Sequence, residues 1–194
     1  MRRIASTSVL FVSLIVALAG CAAGATYPPT AGKTVLWPST PPCSQIMASG
    51  LRYAHQRLAP ATQTLIFNLP PNTPEGVWLD IGKRLGDGAR AMTESDTSCM
   101  TLQQIRLNGG KAEVDVVYLT TEGVWQMATV HLDGYFGAEF KPVFLQRWLI
   151  PVDKPAYNPP LMGVFMDAPE SPAPSPIIPS TPTGNEPATT PAKH

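Results

Sequence analysis

The sequence predicts an α+β domain, with two helices packed on a four- to five-stranded, mostly antiparallel bent sheet in the order α-β-α-β-β-β-β. Three observations carry this. Apolar residues recur at helical spacing through Met47, Leu51, Ala54 and Leu58, and again from Trp78 through Ile81 to Leu85. The period then changes to two near Met100 and keeps that value to Ile150. Finally, Asn108-Gly109-Gly110 and Thr121-Glu122-Gly123 are turns too short to join anything but antiparallel neighbours.

Taken in order, the first helix is expected to have Thr40 or Ser39 as its cap and Pro41 in its first turn; Pro60 stops it. Thr64 to Leu69, with Leu65, Ile66 and Phe67, is a short strand ended by Pro70-Pro71. Thr73-Pro74-Glu75 opens the second helix with a cap, a first-position proline and a first-turn acid. Its apolar stripe is drawn through Trp78, Ile81, Leu85, Ala89 and Met92. Gly82, Gly86 and Gly88 each cost such a helix about 1 kcal/mol against Ala, so they either serve close packing or mark a shorter helix. Gly86-Asp87-Gly88 lacks the Lys-Ser/Thr that a phosphate-binding loop requires. Four long strands follow at Thr101–Leu107, Lys111–Thr120, Val124–Leu132 and Lys141–Ile150, with a looser connection from Asp133-Gly134 through Gly137. The last two strands are apolar on both faces, and the helices are the expected cover for one of them.

Around this 42–151 domain the composition changes. Residues 21–41 are proline-rich and read as an extended tether, pinned at its end by Val35, Leu36 and Trp37. Residues 152–166 form an extension whose apolar island, Leu161–Met166, suits a sheet edge or a helix surface. Residues 167–194 hold too few apolar side chains to repay ordering and read as a disordered tail. Lys+Arg 14 balances Asp+Glu 14, and no basic run exists. Phosphate recognition needs a clustered positive face, so nucleic acid is not an expected partner.

The first twenty residues are a signal. Arg2 and Arg3 give a positive start, and the apolar run Val9–Ala19 is shorter than the roughly 20 residues of a spanning helix. It closes on Leu18-Ala19-Gly20-Cys21, which resembles the lipobox of bacterial lipoproteins. That resemblance implies a diacylglyceryl group on the Cys21 sulfur, cleavage just before Cys21 and acylation, such as palmitate, of the new amino terminus. It makes the membrane a partner through the anchor and places the protein in the cell envelope, outside the cytoplasmic membrane. Ala22 stands where an Asp retains some lipoproteins in the inner membrane, so the resemblance favours the outer membrane in a Gram-negative host. An ordinary secretory signal cut at a nearby Ala is the competing reading.

With Cys21 so assigned, Cys43 and Cys99 remain as an even pair in an oxidising compartment. A disulfide between them is expected, closing a loop of about 56 residues worth roughly 4 kcal/mol. Two buried, unpaired thiols are the alternative. No metal site or cofactor is expected, because neither CxxC nor a histidine pair is present. No catalytic residue is assigned: GxSxG is absent, and neither cysteine is placed as a nucleophile beside His55 or His131. His131 and Asp133 share a strand face, again without a nucleophile. Glu113 and Asp115 alternate with Ala112, Val114 and Val116 and are expected to face water. Arg147 falls between Leu145 and Leu149 on an apolar face and needs a partner, so it is either ion-paired or lines a pocket. Tyr118, Trp125 and Trp148 are candidate walls of the same pocket, against a plain core role.

From Pro42 to Pro151 the element order resembles the nuclear-transport-factor-like (SnoaL-like) cone, although one helix and one strand stand where that family begins with two helices and a hairpin. The resemblance implies a bent sheet wrapped around helices with a pocket at its wide end. Its Asp-His and Tyr-Asp pairs do not map onto His131, Asp115 or Tyr118. A plain two-layer sandwich uses the same elements. Together the residues lead to a non-catalytic binding or assembly module of the envelope, with an envelope protein or the cell wall as partner. A small-ligand binder or enzyme with a cone pocket is the second reading, and a structural role for the tail at the cell wall the third.

Overall fold

The chain enters the sheet earlier than its proline content predicts. A computed structural model describes residues 24–60, 62–134 and 139–162. The signal segment, Cys21, the end of the extension and the 167–194 tail lie outside the described residues. Strand β1 (Ala25–Tyr27) pairs antiparallel with β5 (Met100–Asn108), and β2 (Thr34–Val35) pairs parallel with β1. Thr26 and Tyr27 are buried, and the Tyr27 hydroxyl is 2.5 Å from Thr73 Oγ1. Two short segments of the expected tether are therefore part of the sheet. A three-residue strand leaves no periodic signal, yet it needs only a free edge with matching register.

Helix α1 (Cys43–Leu58) buries Ile46, Met47, Gly50, Leu51 and Ala54 as one face. His55 and Arg57 in its last turn suit the negative end of the helix dipole. Neither Ser39 nor Thr40 caps it with a side chain: Pro42 holds the cap position, and the Thr40 carbonyl accepts from the Cys43 amide at 3.0 Å. Next come β3 (Leu65–Asn68) and α2 (Glu75–Leu85), which turns Val77, Trp78 and Ile81 inward. Phe67 stacks on Trp78 with ring centroids 5.7 Å apart. Thr73 does not cap α2; its hydroxyl donates to the Pro70 carbonyl at 2.6 Å.

Helix α2 is shorter than its apolar stripe predicts. Gly86 leaves it with φ 84°, a conformation that glycine adopts without steric cost. Ala89, placed on the helix by spacing, instead belongs to β4 (Ala89–Ala91), parallel to β3. Gly86 and Gly88 mark the end of the helix, whereas Gly82 lies within it.

Strands β5, β6 (Lys111–Leu119), β7 (Trp125–Asp133) and β8 (Lys141–Pro151) form the expected antiparallel meander. The β5–β6 turn places Gly109 at φ 57° and the β6–β7 turn places Gly123 at φ 79°. Among the described residues the sheet has eight strands, six in the path β2-β1-β5-β6-β7-β8, with β3 beside β5 and β4 beside β3. It is mixed but mostly antiparallel, and larger than the four to five strands expected. β1 and β3 share one edge of β5: Tyr27 sits opposite Ile105, and Phe67 opposite Met100. Helix α1 covers the face carrying Leu102, Ile105, Val114, Val116, Ala128 and Val130, all fully buried. Beyond β8 the chain returns to the first half of the fold. Asn158 donates to the Leu69 carbonyl at 2.9 Å, and Leu161 forms a parallel bridge with Pro74. No helix among the described residues is long and apolar enough to cross a membrane.

Candidate functional site

The face of the sheet opposite α1 carries a polar chain that crosses four strands. Hairpin register sets Arg106 opposite Glu113, and a bulge at Gln103 sets Gln104 opposite Asp115. Arg106 donates from Nε to Glu113 Oε2 at 2.8 Å and from Nη2 to Asp115 Oδ1 at 2.9 Å, with Nη1 on Asp115 Oδ2. Thr129 donates to the same Asp115 Oδ1 at 2.7 Å, and Trp148 Nε1 donates to Thr129 Oγ1 at 3.0 Å. Asp115 is only 7% exposed, where strand alternation predicts a solvated acid. Arg106 makes the burial affordable, and the paired carboxylates hold its guanidinium well above its ordinary pKa. Both Asp115 oxygens are engaged, Oδ1 by Arg106 and Thr129 and Oδ2 by Arg106, so the carboxylate acts as a cross-strand clamp. Arg106 and Thr129 were not singled out from the sequence; counting outward from the Gly109-Gly110 turn gives the Arg106–Glu113 pair.

His131 lies on this face with Nδ1 3.6 Å from Glu113 Oε1 and its ring 5.6 Å from Phe144. Asp133, expected beside it, faces Lys111 at 3.9 Å. Pro28, Pro29, Val117 and Met127 floor an open groove of about 540 Å³, with Asp115 and Asp153 among its walls.

The four expected pocket residues do not converge on one cavity. Arg147 is exposed, and among the described residues no ion pair includes it. Its Nε donates to the Tyr118 hydroxyl at 3.1 Å, and that hydroxyl donates to Gln126 Oε1 at 3.2 Å. An edge strand lets the guanidinium reach water, which a burial argument from alternation alone misses. Trp148 lies on the opposite face, 39% exposed, and Trp125 is half-buried opposite Leu119. Of the four, Tyr118 lines a cavity at the end of α1, about 190 Å³, together with His55, Leu58, Leu65, Cys99 and Met100.

Cys43 and Cys99 stand as separate, buried thiols where the pairing argument expects a bridge. Cys43 opens α1, whereas Cys99 shares the cavity wall with His55; α1 rises about 18 Å between Cys43 and His55. A disulfide needs Cα atoms within about 7 Å. Burial pushes the Cys43 thiol up to about 12, and burial likewise raises that of Cys99, which shares a 3.2 Å hydrogen bond with Thr101 Oγ1. Both are protonated at neutral pH and are poor nucleophiles there.

The largest feature left over is β8 itself. It ends the sheet path, and no strand among the described residues meets its outer edge. Val143, Phe144, Trp148, Leu149 and Ile150 are all exposed along it, Leu149 by 74%. Monomeric proteins seldom leave so long an apolar edge in water. No family model, curated protein or solved structure matches this chain.

Proposed function

We propose that this is a lipid-anchored extracytoplasmic bacterial protein whose domain serves as a non-catalytic binding or assembly module of the cell envelope. The observation that carries the binding role is β8, an edge strand that no strand among the described residues pairs on its outer side and that carries five large, exposed apolar side chains. Such an edge offers backbone hydrogen bonds and apolar contact together, which is how strand-addition partners dock. The anchor rests on the motif at Leu18-Ala19-Gly20-Cys21 and gives the module a fixed address on the membrane.

Each half has its own test. Mass spectrometry of the mature amino terminus, with membrane fractionation and a Cys21→Ser control, should find acylated Cys21 in the membrane fraction. A soluble, unacylated product from the unaltered chain overturns the anchor. For the module, a photo-crosslinking residue at Leu149 should give a discrete adduct in intact envelopes, whereas one at exposed Glu122 should not. Equal labelling at both positions, or none, counts against docking along β8.

The cavity at the end of α1 favours a second reading, a small-ligand binder of the cone type. Its volume of about 190 Å³ suits a ligand smaller than most drug-like molecules. Tyr118→Ala should enlarge it and weaken any ligand that shifts the His55 resonances; a ligand indifferent to that change sits elsewhere.

A further inference from the structure

Strand β8 is apolar, and it is also one-sided in charge. It carries Lys141 and Arg147 and no acidic residue. Phe144 through Trp148 run in unbroken register with His131 through Met127, and the strand bulges on either side of that window. Bulges twist an edge and shield it from indiscriminate pairing, so the regular window is where a further strand fits best. Within it Leu145 and Arg147 point to the α1 side, opposite Val130 and Ala128, whereas Phe144, Gln146 and Trp148 point to the other.

Arg147 spends only its Nε on its own fold. The bond from Nε to the Tyr118 hydroxyl, itself held by Gln126, orients the guanidinium. The two terminal nitrogens have no hydrogen-bond partner among the described residues. A guanidinium so presented is matched by a carboxylate, which it holds bidentately. The β8 strand of a second copy lacks that group: β8 against β8 would bring together four cations and no acid.

We infer that β8 recognises an extended segment of a partner protein bearing an Asp or Glu between apolar residues, added to the sheet as a further strand with its carboxylate on Arg147. The acid stands opposite Arg147, and the residue two positions away on the same face packs on Leu145. Partner side chains on the other face meet Phe144 and Trp148. This rests on the binding-module reading and names the chemistry of its partner.

The test uses the full mature chain, lipid-anchored in detergent micelles. Two short fluorescein-labelled peptides alternate valine and threonine and differ only in a central glutamate or lysine. The glutamate peptide should bind about tenfold more tightly by fluorescence anisotropy, since an attractive cross-strand contact replaces a repulsive one. Arg147→Gln should erase that preference, Arg147→Lys should retain part of it, and Leu149→Lys should weaken both peptides. Equal binding of the two peptides to the unaltered chain, or no binding by either, overturns the inference. A dimer in sedimentation that Leu149→Lys dissociates also overturns it, because the edge is then filled by a second copy. If Leu149 crosslinks in envelopes while the peptides bind alike, the module stands and only the carboxylate is wrong. Charge preference without an envelope crosslink leaves the edge chemistry standing and removes the module.

Discussion

Gly50 shows how a single missing Cβ sets the distance between the two layers. A Cβ there would lie 2.9 Å from Val114, itself fully buried in β6. Ala would gain up to about 1 kcal/mol in helix propensity but lose about 1–3 kcal/mol to overpacking, so Gly50→Ala should destabilise on balance. Urea denaturation checks the sign. Cys43 and Tyr27 make a second case at the same scale. Burial raises the thiol from 9.0 to about 12 and the phenol from 10.0 to about 12. Both acids hold their protons more tightly when folded. Their contribution to stability is therefore complete below about pH 9 and is lost as pH rises through 12. Cys43→Ala should flatten the fall in stability across that window by up to about 1.4 kcal/mol per pH unit, read from urea midpoints at successive pH values. Neither effect was legible from composition, because each depends on which residue faces which across the core.

At the scale of elements, legibility followed length. The four long strands and both glycine turns were readable because alternation over nine or more residues is hard to mistake. Strands β1, β2 and β4, each of two or three residues, were not. Their existence depends on an edge supplied by β5 or β3, and that edge lies far off in the sequence. Within the proline-rich stretch before α1, β1 and β2 accordingly belong to the sheet. A chain beginning at residue 42 should be less stable than one beginning at residue 24, by about 3 kcal/mol, because it loses Tyr27 from the core and bares Ile105 to Leu107. Thermal unfolding of the two lengths decides this, and equal stability would show that β1 adds nothing to the fold.

For the whole molecule, the positions of Cys43 and Cys99 matter more than their number. They lie at opposite ends of α1, so the denatured Cys21→Ser protein should titrate as two free thiols without reductant; a count of zero would show a bridge and a different packing of α1. By itself the sequence determined the helix stripes, the antiparallel meander and its turns. These are local patterns, written in spacing that neighbouring residues carry between them. Only the tertiary structure decided that Asp115 is buried by Arg106, that Arg147 reaches water, and that, among the described residues, β8 ends the sheet with its apolar side chains uncovered. The physical reason is that burial belongs to a pair of surfaces: alternation shows that a strand has two faces, and packing alone settles which face, and which edge, is left for a partner.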